Sequence, residues 1–400
     1  MSTTVGTAEL LIRCGISSDT IVSVNITPRP LLPVERLALG KPPEVVPTLF
    51  GRLFSLCPKA HANAAATALE RALGISVSPN LTKLRDLQAN VERIRELSLN
   101  LLLSSEAPPS PWPPRLIALC RRLIAALGGD AVYWPTAPFE PDAATLRAGV
   151  TELEALVSHL LGTLWHIPQP DLDAVRHWLE DDTCAAAAWM RRALQPGWRD
   201  FGRCSMKALP LFTDAMLEAA LGPGPARVNS NSPEWAGEPR ETGCLARQRS
   251  DPLVREASGS YGNGLFTRML ARVVELKHLA KTLIREIEHL GPMGSHSSPL
   301  TSHGTGVAQT EAARGRLMHR VEVAGGLVRD YRILAPTEWN FHPRGLVYRA
   351  LLGATVGDGE SARTRIDAFL QVVDPCVDYR LILERADNLS VEGFAREWDG

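Results

Sequence analysis

The stretch LFSLCPKAHANAAATALERA, residues 53–72, places one cysteine directly before a proline at the start of an alanine-rich run. Proline is well tolerated in the first turn of a helix, and no helix breaker follows it, so the stretch predicts a helix that begins near Pro58. Cys57 then lies at the N-terminus of this helix, and His61 follows one turn later. Because the positive end of the helix dipole favours an anion, we expect this thiol to ionise readily.

A second cysteine stands in a similar setting near the C-terminus. The segment VVDPCVDYRLI, residues 372–382, joins Cys376 to a proline at the end of an apolar run. Taken alone, each cysteine is most simply a small buried residue. Thiolates are also ligands for soft metals, and His61 could donate a hydrogen bond toward the sulfur of Cys57. Nucleophilic catalysis by this pair is a weaker alternative, because no group that would orient the base is evident.

The composition excludes several classes of protein. Four hundred residues with 45% hydrophobic content are enough for one or two well-cored domains, and the net charge of -1 argues against nucleic acid as a partner. We see no signal peptide, and no stretch approaches the roughly 18 uninterrupted apolar residues of a spanning helix, so we expect no membrane insertion. The seven cysteines are scattered and never form C-x-x-C. We therefore expect no disulfide framework and a cytoplasmic location.

The hydrophobic periodicity predicts a mostly helical α+β fold. The segments ELLIRCG and TIVSVNITPRP predict an N-terminal β-hairpin, and the alternation around Gly325 and Gly326 predicts another hairpin near residues 315–334. Between them, apolar residues recur at helical spacing and predict a bundle of long helices. Beyond the helix at Pro58, helices are predicted around residues 81–101, 115–127, 146–164, 265–290 and 359–373.

We find no internal repeat, and we predict a single domain over residues 1–400. Residues 222–264 are rich in glycine, proline, serine and asparagine and contain few aliphatic side chains. This composition predicts a mobile insertion or a long loop. A second loop is predicted over residues 291–310, which are rich in glycine and serine.

Four segments, read in order, resemble motifs of the large subunit of the nickel–iron hydrogenases. RLFSLCPKAH (52–61) resembles its N-terminal R-x-C-G-x-C-P-x-x-H motif, and DPCVDYRLI (374–382) resembles its C-terminal D-P-C-x-x-C-x-x-H motif. EAARGRLMH (311–319), which contains Arg314, is similar to its E-A-P-R-G-x-L-x-H element, and APTEWNFHPRG (335–345) is similar to its P-T-x-W-N-x-x-P-R segment. The resemblance implies the α+β fold of that subunit, with a long-helix bundle and small β-hairpins.

The resemblance also implies what the site has lost. In that family four cysteines hold a nickel and an iron, and the iron carries cyanide and carbon monoxide. Cys57 matches a cysteine that bridges the two metals, and Cys376 matches a ligand of nickel alone. Phe54 and Tyr379 stand where the family has its other two cysteines, and Ile382 stands where it has a final histidine. Two thiolates cannot complete a four-sulfur nickel site, so we predict that the chain is not a working hydrogenase.

A degenerate relative that keeps one thiol from each motif resembles the HupK/HoxV-type hydrogenase maturation proteins. This resemblance implies a scaffold for assembly or transfer of the Fe(CN)2(CO) or NiFe(CN)2(CO) centre. It implies transient binding of iron with its CN and CO ligands, with or without nickel, by Cys57 and Cys376, while His61 and Arg314 contact the cyanides. The implied partners are the hydrogenase large subunit and HypC/HypD-type maturation factors.

Two other functions stay open at the level of sequence. One is a metal-free structural or regulatory protein that binds hydrogenase or its maturation factors through a large-subunit-like surface. The other is a cysteine-dependent enzyme. Retention of both thiols together with His61 and Arg314 favours the scaffold, because a pure binding module would need none of them together.

Overall fold

The computed structural model describes residues 9–29, 33–104, 111–135, 139–224, 227–291, 296–357 and 359–385. In these ranges a bundle of helices lies with two small three-stranded sheets. The helices are α1 (Val46–Leu53), α2 (Pro58–Leu73), α3 (Pro79–Ser104), α4 (Trp112–Ala126), α5 (Ala143–Leu161), α6 (Leu172–Asp181), α7 (Ala185–Arg191), α8 (Asp214–Leu221), α9 (Cys244–Gln248), α10 (Pro252–Tyr261), α11 (Leu265–Glu288), α12 (Pro336–Asn340), α13 (Leu346–Leu351) and α14 (Gly359–Val373). The strands are β1 (Leu10–Ser17), β2 (Thr20–Thr27), β3 (Gly304–Ala312), β4 (Gly315–Ala324), β5 (Leu327–Leu334) and β6 (Tyr379–Arg385).

The first sheet joins the two ends of the chain. β1 and β2 form the predicted N-terminal hairpin, and β6 pairs with β1 in parallel, with Leu10 opposite Tyr379. β6 carries no local signal that predicts its pairing, because its partner lies at the other end of the chain. Since β6 begins at Tyr379, shortly after Cys376, this pairing fixes Cys376 relative to the N-terminal hairpin.

The second sheet is an antiparallel meander in the order β3, β4, β5. Its β4–β5 hairpin confirms the prediction near 315–334. β3 contradicts the final part of the loop predicted over 291–310. A Cβ at Gly304 or Gly306 would lie 2.2 Å and 1.9 Å from carbonyl oxygens of α2. These glycines therefore allow a strand to approach a helix backbone closely, whereas the sequence analysis interpreted them as loop residues.

The predicted long helices are confirmed, and they bury the expected apolar residues. Asp142 caps α5 by accepting hydrogen bonds from the backbone N–H groups of Ala144 and Thr145. One cluster of buried apolar residues joins β1, α3, α5, α11 and α14, and the single-domain organisation stays a prediction. No helix among the described residues is long and apolar enough to cross a membrane.

Two helices, α9 and α10, lie within residues 222–264, so the prediction of a long loop is wrong for this part. Asp251 caps α10 by accepting a hydrogen bond from the backbone N–H of Val254. Leu253 and Val254 lie in the main apolar core. Leu245 joins the same core, and Val228 belongs to a separate apolar cluster, so the few aliphatic residues of the segment are buried although its average composition is polar. The mobility of the segment stays a prediction.

Candidate functional site

Cys57 and Cys376 line one cavity of about 800 Å³, although they lie near opposite ends of the chain. Cys57 is the N-cap residue of α2, and Cys376 lies between α14 and β6. His61 and Arg314 line the same cavity. A negative charge on Cys376 contributes to raising the pKa of Cys57, so the two thiols lie within electrostatic reach of each other. The structure thus brings together all four residues singled out from the sequence.

Backbone N–H groups at the N-terminus of α2, beside Cys57, already donate hydrogen bonds to a carboxyl group. Glu92 of α3 accepts hydrogen bonds from the backbone N–H groups of Lys59 and Ala60, at 2.8 Å and 3.1 Å. Burial raises the pKa of Cys57 well above its usual value, and Glu92 raises it further. The expectation of a readily ionised thiol is therefore wrong for the protein without a bound metal. Burial also raises the pKa of Glu92 itself, to about 7.

His61 belongs to a buried chain of hydrogen-bonding side chains. Its Nδ1 lies 3.1 Å from Nε2 of His319, whose own Nδ1 lies 2.9 Å from the hydroxyl of Tyr331. Burial lowers the pKa of His61 well below its usual value and that of His319 to about 3, so both rings are neutral at pH 7. The ring of Phe54 stacks on His61 with centroids 3.5 Å apart. The predicted contact from His61 to the Cys57 sulfur does not occur among the described hydrogen bonds, since Nδ1 faces His319 instead.

Arg314, in the turn between β3 and β4, connects α3 to the second cysteine motif. Its guanidinium lies 3.3 Å from Glu96 of α3 and 3.3 Å from Asp374, two residues before Cys376. These carboxylates raise the pKa of Arg314 although burial opposes them, so its charge is permanent. Its Nε is buried and has no hydrogen-bond partner among the described residues. Asp374 adopts a φ of 62° and is also held by Arg272 at 3.2 Å.

Cys376 receives a hydrogen bond from a side chain. The hydroxyl of Thr337 donates to its sulfur at 3.0 Å, and the same oxygen accepts the backbone N–H of Cys376 at 3.2 Å. Burial raises the pKa of this thiol and Glu338 adds to the rise, while Arg29, Thr337 and Arg314 act in the opposite direction. Three groups near the sulfur therefore favour the thiolate once a metal competes with the proton.

Three residues of this site were missed in the sequence analysis: Arg29, Thr337 and Glu338. Nε and Nη2 of Arg29 donate to Oε1 of Glu338 at 3.1 Å and 2.8 Å, and both residues line the cavity. Oε2 of Glu338 is buried without a partner among the described residues. Glu338 and Thr337 lie inside the APTEWN segment that the sequence analysis had identified. Arg29 carries no local signal, because only the fold brings the end of β2 to the cysteines.

Phe54 and Tyr379, which the motif resemblance predicts to replace two cysteines of the family, have different surroundings. Phe54 lines the cavity. Tyr379 begins β6, and its hydroxyl donates to a carboxylate oxygen of Asp367 on α14 at 3.1 Å. Among the described residues, no group of three or more histidine, cysteine, aspartate or glutamate side chains is placed to hold a metal ion. The sulfur donors that the cavity offers are Cys57 and Cys376.

Comparisons of sequence identify similar proteins over nearly the whole chain. A family model described as nickel-dependent hydrogenase matches residues 230–377. The hydrogenase expression/formation protein HupK of Bradyrhizobium diazoefficiens is 30% identical over 379 residues, which cover 94% of this chain and 97% of that protein. The hydrogenase expression/formation protein HoxV of Cupriavidus necator is 32% identical over 385 residues, which cover 88% of this chain and 90% of that protein.

Comparisons of structure identify catalytic hydrogenases. The reduced Ni-Fe-Se hydrogenase of D. vulgaris Hildenborough matches with a TM-score of 0.67 at 17% identity, covering 90% of this chain and 94% of that chain. A reduced, active Ni-Fe-Se hydrogenase of Desulfomicrobium baculatum matches with a TM-score of 0.67 at 15% identity, covering 91% and 95%. These likenesses confirm the predicted hydrogenase-like α+β fold.

Proposed function

The chain belongs to the family of hydrogenase expression/formation proteins that includes HupK, HoxV and HupV, and we propose that it serves as a scaffold in the maturation of a nickel–iron hydrogenase. Its cargo is the iron centre with cyanide and carbonyl ligands, alone or joined to nickel, held during assembly or transfer. The observation that carries this proposal is the presence of Cys57 and Cys376 in one cavity that Arg29 and Arg314 also line.

The acidity of the two thiols suits transient binding. A metal binds the thiolate, so loading releases protons, and a thiol with a raised pKa gives weaker retention at neutral pH because the proton competes with the metal. Burial raises the pKa of both Cys57 and Cys376. A carrier must release what it holds, and two thiols of this kind favour release over permanent retention.

Cationic donors in the cavity suit cargo that carries anionic ligands. The unpartnered Nε–H of Arg314 is available to a cyanide, and charge-assisted hydrogen bonds of this type are strong. Arg29 is a second guanidinium close enough to both thiols for each to raise its pKa. His61, which lines the same cavity, supplies a neutral ring at this site. Partners of this scaffold are the hydrogenase large subunit and HypC/HypD-type maturation factors.

We do not expect the chain to turn over hydrogen. The proposed nickel site would hold two sulfurs, since Phe54 stacks on His61 and Tyr379 is hydrogen-bonded to α14. Under this proposal Cys57 contributes more than Cys376, because it matches the ligand that the family shares with iron. Arg314 contributes less, because it contacts the diatomic ligands and not the metal.

Maturation in cells tests the proposal. We expect a severe loss of hydrogenase activity for Cys57→Ala, a partial to severe loss for Cys376→Ala and a milder loss for Arg314→Ala, at equal levels of this protein. Alanine at Cys120, which is buried away from the cavity, is the matched control and leaves maturation near normal. If the Cys57→Ala/Cys376→Ala double variant supports full activity, the chain is a metal-free binding partner and the scaffold proposal fails.

A further inference from the structure

A second part of the cavity is built from arginines that lie apart from the cysteine motifs. β4, β5 and the segment after α8 contribute Arg320, Arg332, Arg227 and Ser230 to its lining. We propose that this part is an oxyanion-binding site, centred on Arg332 with Arg227 beside it, for a carboxylate or phosphate group. The proposal does not depend on whether the two thiols bind a metal.

Arg332 is a buried cation with neutral partners. The residue is 8% exposed. Its Nε and Nη2 donate to the hydroxyl of Ser230 at 3.3 Å and 2.9 Å, Nη2 also donates to the carbonyl of Val228 at 2.6 Å, and Nη1 donates to the carbonyl of Leu221 at 3.0 Å. A guanidinium has five N–H groups, so one on Nη1 stays unused. No carboxylate lies within ion-pair distance of Arg332 among the described residues.

Arg320, the neighbour of Arg332, has the carboxylate partners that Arg332 lacks in the described part of the chain. Arg320 lies directly opposite Arg332 in the β4–β5 register, where like charges repel. Arg320 is neutralised by Glu218 at 2.8 Å and Asp330 at 3.1 Å. Burial, followed by the charge of Arg227 and then that of Arg320, lowers the pKa of Arg332 to about 10, while Asp330 and Glu35 act in the opposite direction from beyond ion-pair distance. A buried charge without a counter-ion is unfavourable, and a bound anion would supply the missing charge.

Arg227 extends the site toward solvent. It is exposed and makes no side-chain ion pair among the described residues. The unused N–H of Arg332 and the free guanidinium of Arg227 give two cationic donors in one cavity, the arrangement that binds planar or tetrahedral oxyanions. A carboxylate of a protein partner and a phosphate group share this chemistry, and the experiment separates them.

Titration calorimetry of the purified full-length protein with sodium phosphate and, separately, with sodium acetate tests the site at constant ionic strength. We expect saturable 1:1 binding of at least one of the two anions. Arg332→Met abolishes it, and Arg227→Gln weakens it by roughly fivefold. Arg329→Gln, on the same strand but outside the cavity lining, leaves it unchanged. Binding of acetate alone assigns a protein carboxylate, and binding of phosphate alone assigns a phosphate group.

Two results overturn the proposal. One is the absence of saturable binding of either anion to the unaltered protein. The other is binding that Arg227→Gln leaves unchanged, which decides the matter even if Arg332→Met fails to fold after losing its contacts to Ser230 and two carbonyls.

Discussion

The two cysteines share a cavity but not an electrostatic environment. Cys57 stands at a helix terminus whose N–H groups are taken by Glu92, and its neighbours are mainly carboxylates. Cys376 receives a hydrogen bond from Thr337 and lies near Arg29. Arg314 lowers the pKa of both. The comparison shows that the local motif at Cys57 predicts an acidic thiol, whereas the tertiary contacts raise the pKa of Cys57 and place three groups that oppose such a rise around Cys376.

The largest effect that we expect concerns Glu92, the carboxyl group beside Cys57. Glu92 keeps its proton to about pH 7 in the folded protein but loses it near pH 4.5 in the unfolded chain. Its contribution to the free energy of unfolding is therefore fully present below about pH 4.5 and is lost as the pH rises through about 7. Between pH 5 and pH 8 this loss is about 2.5 kcal/mol. The glutamine side chain in Glu92→Gln has no proton to lose. The free energy of unfolding of this variant should therefore fall less between pH 5 and pH 8 than that of the unaltered protein, by the contribution of Glu92.

Urea denaturation at pH 5 and pH 8 measures the difference for Glu92→Gln, and Glu180→Gln is the control because Glu180 is exposed on α6. The other titrating groups are common to all variants and cancel. Equal losses of stability in Glu92→Gln and the unaltered protein would show that Glu92 is already ionised, and that the helix terminus at Cys57 is charged.

The next largest effect concerns Arg29, which lies near Cys376. Arg29→Met leaves Glu338 buried without its partner, and we expect a loss of about 2 kcal/mol in the free energy of unfolding, less than for a fully buried pair because Arg29 keeps some solvent contact. Arg380→Met, which breaks an exposed pair with Glu9, should cost less than about 0.5 kcal/mol. Equal losses in the two variants would mean that the Arg29–Glu338 pair stabilises nothing.

A smaller effect concerns the relative acidity of the Cys57 and Cys376 thiols. Both thiols are half-buried, so access does not favour either. At pH 8 we expect iodoacetamide to modify Cys376 faster than Cys57, because Arg29, Thr337 and Arg314 oppose the rise in the pKa of Cys376, whereas Glu92 adds to the rise in the pKa of Cys57. Mass spectrometry of the two peptides over time gives the rates, and Arg29→Met should slow the modification of Cys376. Faster modification of Cys57 would restore the expectation drawn from the helix dipole and contradict the comparison.

The smallest effect concerns the ring that covers His61. Phe54→Leu removes a stacked pair with centroids 3.5 Å apart, and we expect a loss of about 1 kcal/mol in the free energy of unfolding. Leu53→Ala, at a neighbouring position that is 40% exposed, is the control and should change stability by less than about 0.5 kcal/mol. Denaturation midpoints of the three proteins decide the matter, and no difference between the two variants would exclude the stacking contribution.

Local pattern was enough to predict much of the fold. The long helices and both hairpins follow from periodicity and turn residues that act within a few residues of each other. β6 could not be predicted, because its partner β1 lies at the far end of the sequence. The glycines at the start of β3 predict a loop from sequence, although in the structure they allow the strand to contact α2 closely.

The candidate site, like the fold, could be predicted only where short sequence motifs determine it. The motifs identified Cys57, His61, Arg314 and Cys376, and the structure places them around one cavity. The acidity of Cys57 could not be predicted, since it depends on Glu92 from a different helix. Arg29 was missed for the same reason, because its contact with Glu338 joins the two ends of the chain.

Infrared spectroscopy tests the central claim that both thiols hold an iron centre with diatomic ligands. The protein is purified anaerobically together with its maturation partners, and cyanide and carbonyl stretches are recorded where protein absorbs little. We predict these bands in the unaltered protein and in Cys120→Ala, and their loss in the Cys57→Ala/Cys376→Ala double variant. Bands of undiminished intensity in the double variant would contradict the account, because the cargo would then be held by groups other than these two cysteines.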